Sequence, residues 1–172
     1  MNRRKFVEKS MLFGCSIAVL SSCKAKNSLT AEFVKNPLDI EKTRDFVYYA
    51  HSDLALVKKF VNEFPHIVNS TVDWGDGDFE SALGAASHVG NIDIANFLIE
   101  SGARADIFTL AMLGLTDNVI TYLKKFPATI NSIGPHGFTL LHHSEIGVKS
   151  EGLSNYLINN GLTDKFIKTF KK

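Results

Sequence analysis

The sequence predicts an all-α fold built from about four consecutive helix-turn-helix units, and three observations support this. Two segments recur: FPHIVNS at residues 64–70 returns as FPATINS at residues 126–132, and NFLIESG at residues 96–102 returns as NYLINNG at residues 155–161. Apolar residues in or before each copy fall at i, i+3 and i+4, the spacing of one buried helix face. Because one such unit cannot cover its own apolar face, copies are expected to stack on one another.

The first and third units are related by a constant offset of 62 residues. Three apolar residues precede each copy of the segment at matching positions: Val57, Phe60 and Val61 in one unit, and Val119, Tyr122 and Leu123 in the other. We place these units at residues 42–76 and 107–134.

The second and fourth units, at residues 77–106 and 135–161, are related by an offset of 59 residues. Gly90 permits a tight turn between two helices, because glycine adopts positive φ readily. Gly102 ends the second helix as a C-cap. The buried stripe of that helix is Ala95, Leu98 and Ile99, which correspond to Ser154, Leu157 and Ile158 in the fourth unit.

Residues 80–106, ESALGAASHVGNIDIANFLIESGARAD, resemble one ankyrin repeat. The family pattern begins T-P-L-H-x-A-A and continues with Gly, an apolar helix and G-A; the matching residues are Ala85, Ala86, Gly90, Leu98, Ile99, Gly102 and Ala103. GFTLLHHS at residues 137–144 resembles G-x-T-P-L-H-x-A, with Leu140 in place of Pro. The resemblance implies an ankyrin repeat solenoid of about four repeats with short hairpin fingers, which serves as a protein-binding scaffold.

The spacing of the units predicts where fingers project between them. Residues 68–80 are long enough for a finger carrying DWGDGDF, and SIGPHGF at residues 132–138 is expected to form another. Only residues 103–106 separate Gly102 from the next helical run, so we expect the finger between the second and third units to be missing.

Residues 1–23 resemble a bacterial export signal with a lipobox. NRRKF, with Arg3 and Arg4, is similar to the twin-arginine motif. The apolar run at residues 10–20 is well below the roughly 20 residues of a membrane-spanning helix. LSSC ends at Cys23, whose thiol a lipoprotein signal would present for lipidation. The alternatives are an ordinary thiol behind a conventional cleaved signal, and export by the general secretory route.

Removal of residues 1–23 leaves 15 Lys and Arg (19 minus 4) against 17 Asp and Glu (18 minus 1). A net charge of about −2 provides no basic footprint for nucleic acid. No cysteine follows Cys23, so a disulfide within the mature chain is excluded. We expect residues 24–41 to form a polar tether. Residues 162–172, LTDKFIKTFKK, are expected to form a C-terminal capping helix, with a helix lying on a membrane surface as the rival interpretation.

The six histidines show no familiar spacing for zinc ligands, so we assign no metal ligand and no cofactor. His142 stands at the His position of T-P-L-H, which in the family bonds to backbone. An alternative function is a small-ligand or metal-binding envelope protein that uses His136, His142 and His143. The acidic residues around Asp76 do not have the spacing of a calcium loop and are interpreted as a solvated finger tip.

The sequence thus favours a non-enzymatic, monomeric scaffold that binds a protein partner in the cell envelope and is held at the membrane by a lipid. No nucleophile elbow or phosphate loop is present, and we assign no catalytic residue. Trp74 either pins its finger to a helix or anchors a partner. The residues expected to bind the partner are Trp74, Asp76, Phe79, His136 and Phe138.

Overall fold

A computed structural model describes residues 37–168 of the protein, and these residues are mostly helical with one small two-stranded sheet. The helical class predicted from the sequence is therefore confirmed. Among the described residues, no helix has both the length and the apolar character needed to cross a membrane. Cys23, Arg3 and Arg4, with the proposed export signal and most of the tether, lie outside the described residues.

Eight α-helices form four consecutive hairpins in residues 37–168. They are α1 (Ile40–Tyr49), α2 (Leu54–Glu63), α3 (Ala82–His88), α4 (Ile92–Glu100), α5 (Ile107–Met112), α6 (Thr116–Lys125), α7 (Leu140–Ser144) and α8 (Glu151–Asn159). Short 3₁₀ helices cover Pro65–Asn69, Pro127–Asn131 and Pro135–Gly137. The strands β1 (Thr71–Asp73) and β2 (Phe79–Ser81) are antiparallel and pair Val72 with Glu80.

At the helix starts, side chains accept hydrogen bonds from backbone amides that have no partner within the helix. Asp53, Asn91 and Asp106 accept hydrogen bonds from the amides of Leu56, Ile94 and Thr109, each three residues further on. Each cap of this kind contributes about 1 kcal/mol. Side-chain caps, which can be read from the sequence, therefore set where helices begin in most of the hairpins.

The recurring segments adopt the same backbone in both copies. Phe64 and Phe126 end their helices with φ −131° in each case, and ψ 75° and 71°. Gly102 and Gly161 have φ of 94° and 96° after helices α4 and α8. The internal repeat read from the sequence is thus a repeat of conformation.

The first helices of successive hairpins pack side by side, α1 on α3, α3 on α5 and α5 on α7. The second helices pack as two pairs, α2 with α4 and α6 with α8. Two apolar clusters result, one centred on the first two hairpins and one on the last two. Helix α5 joins them, because Met112 belongs to the first cluster and Phe108 to the second.

The C-terminal segment differs from the capping helix predicted at residues 162–172, and that prediction is wrong for residues 162–168, which contain no helix. This stretch instead supplies hydrogen-bond partners to the backbone of residues 137–139. The Thr139 amide donates to the Lys165 carbonyl, and the Ile167 amide donates to the Gly137 carbonyl. A helix over the same residues would engage these groups within itself and leave the loop unpaired. Residues 169–172 lie outside the described residues.

Candidate functional site

The first finger, residues 71–81, is a β-hairpin between the first two helix hairpins. Its tip contains Gly75, Asp76 and Gly77, all at positive φ. The carboxylate of Asp73 accepts the amides of Gly75 and Gly77 at 2.9 and 3.2 Å, which holds this turn. Asp76 and Phe79 are exposed, and 63% of Phe79 faces solvent.

Trp74 points back toward the body of the protein. Its ring is half-buried against the first apolar cluster, and Nε1 donates to Glu80 Oε2 at 2.7 Å. This geometry corresponds to a tryptophan that pins its finger to the body of the protein, rather than to one that anchors a partner.

The second finger, residues 132–139, is held to the first by a carboxylate. Asp78 Oδ1 accepts the backbone amide of His136 at 2.8 Å, and Asp78 Oδ2 lies 2.6 Å from His136 Nδ1. His136 has φ 59°, in the left-handed region that non-glycine residues seldom adopt. The two bonds to Asp78 hold this strained backbone in place.

A groove of about 440 Å³ lies between the two fingers. Residues 103–106, where a further finger was expected to be missing, contain no strand, and Asp106 lines this groove. The other lining residues come from the first finger and its flanks (Thr71, Gly77, Asp78, Phe79, Ser81), from the second finger (Ile133, Gly134, Pro135) and from the helices between them (Gly84, Phe108). Both fingers therefore share one concave surface.

Behind the fingers, four side chains converge: His51, Glu80, His88 and His136. Glu80 Oε1 lies 2.9 Å from His88 Nδ1, 3.4 Å from His136 Nε2 and 3.7 Å from His51 Nε2. Glu80 is fully buried on β2, while His51 follows α1 and His88 ends α3. His51 and His88 lie in the first two helix hairpins, and Glu80 and His136 lie in the two fingers, so the cluster is assembled only by packing.

Electrostatics keep the central carboxylate ionised. Burial by itself raises the pKa of Glu80, but the close approach and charge of His88, the hydrogen bond from Trp74 and the charge of His51 together lower the pKa below its ordinary value. A buried anion thus faces three imidazoles.

The alternative set His136, His142 and His143 is not brought together, and that expectation is corrected. His142 Nε2 bonds to the backbone carbonyl of His88 at 2.8 Å. His143 is buried and its Nδ1 bonds to the Thr139 carbonyl at 2.8 Å. Only His136 of the three joins the four-residue cluster.

Of the five residues expected to contact a partner, Asp76 and Phe79 are exposed, whereas Trp74, His136 and Phe138 are half-buried. The ring of Phe138 stacks between His88 and His142, with centroids at 5.3 and 4.2 Å. The sequence pointed to His136 but not to His51, Glu80 or His88 as members of a cluster. Glu80 belongs to the acidic run interpreted as a solvated finger tip, and that interpretation is wrong for Glu80, which is fully buried.

Comparison with protein-family models, with curated proteins and with solved structures finds no match to this chain.

Proposed function

We propose that this protein is a non-enzymatic, monomeric ankyrin-type scaffold that binds a protein partner in the bacterial cell envelope. The observation that carries the proposal is the groove between the two fingers, with Phe79 exposed at its edge. Aromatic side chains, Phe among them, are enriched at protein–protein interfaces. The partner surface is accordingly Phe79, Asp76 and the groove, with Trp74, His136 and Phe138 supporting it from behind.

The framework suits this role. Four helix hairpins, each delimited by its own caps and turns, hold two short loops on one surface, and loops on a rigid scaffold commonly carry recognition. The ankyrin resemblance of residues 80–106 and 137–144 supports the same proposal.

Site-specific photo-crosslinking tests the surface. A photoreactive phenylalanine analogue at Phe79 should give a discrete protein adduct in intact cells. The same analogue at Phe126, which is 50% exposed at the end of α6 and does not line the groove, is the matched control. Equal adducts at both positions, or none at Phe79, would refute the groove as the binding surface.

We further propose that the chain is exported and held at the membrane by a lipid on Cys23, on the strength of the lipobox resemblance. Cys23→Ala should move the protein from the membrane fraction to the soluble fraction, because acyl chains anchor at roughly 0.8 kcal/mol per buried methylene. An unchanged distribution would exclude the anchor. Replacing Arg3 and Arg4 by Lys should stop export by the twin-arginine route, whereas continued export would indicate the general secretory route.

A further inference from the structure

We propose that His51, Glu80, His88 and His136 bind one divalent transition-metal ion of the zinc class. The proposal rests on the positions of hydrogen-bond donors and acceptors around Glu80 Oε1. It is a separate claim from the partner-binding proposal and is tested without a partner, although His136 supports the partner surface and Asp78 lines the groove.

Two of the imidazoles place Nε2 near the carboxylate of Glu80 while Nδ1 is engaged elsewhere. His51 Nδ1 lies 2.9 Å from the Tyr48 carbonyl, which can only accept, so Nδ1 carries the proton. His136 Nδ1 likewise faces the Asp78 carboxylate at 2.6 Å. When these rings are neutral, each Nε2 is an acceptor that lies near another acceptor, Glu80 Oε1, at 3.7 Å for His51 and 3.4 Å for His136. Such an arrangement needs a cation, or an added proton, between the groups.

The third imidazole shows the same mismatch. Glu80 Oε1 and His88 Nδ1 are buried and 2.9 Å apart, yet neither atom makes a hydrogen bond of acceptable geometry with any described residue. The pair is close enough for charge attraction, but the directions at the two atoms are not those of a donor and its acceptor. Buried polar atoms left in this state are rare and require an explanation. A shared metal ion provides one.

The distances agree with a four-coordinate ion. Zinc bonds of about 2.0–2.1 Å place tetrahedral ligand atoms roughly 3.3–3.4 Å apart. The three distances from Glu80 Oε1 are 2.9, 3.4 and 3.7 Å, and all four ligand atoms lie within 4.8 Å of one another. Small rotations of the two partly exposed rings, His51 and His136, would bring all four ligand atoms to the spacing of a tetrahedral zinc site.

Three of the four ligands are also oriented by hydrogen bonds to the atoms that would not contact the ion. Asp78 fixes His136, the Tyr48 carbonyl fixes His51, and Trp74 holds Glu80 through Oε2 so that Oε1 remains free. Metal-ligating histidines generally donate their second ring N–H to a carboxylate or carbonyl in this way. The strained backbone at His136 is further maintained by Asp78, as often occurs at functional sites.

The donor set defines the class of ion and its role. Three imidazoles and one carboxylate suit zinc and its transition-metal neighbours, whereas calcium and magnesium require oxygen ligands. Four protein ligands form the closed site typical of a structural ion. His136 lies in the second finger, between the last two hairpins, and the other three ligands lie in or between the first two hairpins, so the ion would join the two halves of the protein across the junction that lacks a finger.

Calorimetric titration with Zn²⁺ tests the site. The protein, purified in detergent, is treated with EDTA and dialysed, and any thiol that remains free at Cys15 or Cys23 is alkylated so that it does not compete for the ion. We expect one ion per chain with a dissociation constant below about 1 μM. Co²⁺ should give the intense visible bands of four-coordinate geometry. Trp74, the sole tryptophan, donates to a ligand, so its fluorescence should change at the same stoichiometry.

Variants assign the binding to these residues. Glu80→Gln and His136→Asn should abolish high-affinity binding, and His136→Asn is the safer for folding because this side chain is one-third exposed. Asp78→Asn should weaken binding about 10–100-fold. The exposed His66→Asn is the matched control and should bind normally. Absence of saturable Zn²⁺ binding, or unchanged binding by the folded His136→Asn protein, would overturn the proposal.

Discussion

Acid should destabilise this protein through His143, and the size of the effect follows from the burial of its ring. The side chain is fully buried, and Nε2 has no hydrogen-bond partner among residues 37–168. Burial chiefly lowers the pKa of His143 from 6.5 to about 4, and the charge of His142 adds to this, while the bond to the Thr139 carbonyl opposes it. The folded protein therefore keeps the ring neutral in mildly acidic solution.

The direction follows from proton uptake. Between pH 6.5 and about 4 the unfolded chain binds a proton at His143 and the folded chain does not, so the free energy of unfolding decreases as the pH falls through this window. Above the window both states are neutral at this residue, and below it both are charged. A pKa difference of about 2.5 corresponds to a total loss of roughly 3 kcal/mol.

Urea denaturation in EDTA at pH 7 and at about pH 4.5 measures this loss. The wild type should lose roughly 2.5 kcal/mol more than His143→Asn, which retains a donor for the Thr139 carbonyl. His66→Asn, an exposed histidine, should behave as the wild type. If His143→Asn lost as much stability as the wild type, the burial argument would be refuted. Should that variant fail to fold, NMR of the wild-type His143 ring decides, since titration near pH 6.5 would contradict the reasoning.

Two further predictions concern the repeated framework, and both are checked by urea denaturation at neutral pH. Leu157→Ala should reduce the free energy of unfolding by about 2–5 kcal/mol, because this side chain is fully buried. The adjacent Ile158→Ala, at a side chain 45% exposed, should have a much smaller effect, and equal losses would contradict the assigned helix face. Gly90→Ala should destabilise more than Gly102→Ala: both have positive φ, but a Cβ at Gly90 would lie 2.8 Å from the Gly147 amide nitrogen, whereas Gly102 has open space. For Gly102→Ala only the backbone penalty of about 1–2 kcal/mol is expected.

The repeated hairpins could be read from the sequence because their determinants are local. FPHIVNS and FPATINS take the same φ and ψ at their first residue, and Gly102 and Gly161 agree within a few degrees. Apolar stripes and glycine positions act within one turn of chain, so a single sequence reveals them. The predicted stripes are wrong at two positions, because Tyr122 and Ile158 are 44% and 45% exposed. The short connection after Gly102 likewise predicted a junction without a finger, and residues 101–106 contain no strand.

The C-terminal segment shows where local reasoning is insufficient. Phe166, Ile167 and Phe170 have helical spacing, yet residues 162–168 are not helical because residues 137–139 use their backbone groups. The spacing of apolar side chains along a segment does not indicate whether the backbone of a distant loop will need that segment as a hydrogen-bond partner.

The sequence by itself determined the four hairpins, their turns and the positions of the two fingers, since each depends on residues a few places apart. Only the tertiary structure decided the four-residue cluster, because its members at positions 51, 80, 88 and 136 share no spacing and meet through packing of two helix hairpins and two fingers. It also decided the orientation of Trp74, which bonds to Glu80, and the hydrogen bonds of His142 and His143 to backbone carbonyls, which keep these two rings out of the cluster. These contacts depend on the distances and directions between packed elements, which the order of residues along a chain does not specify.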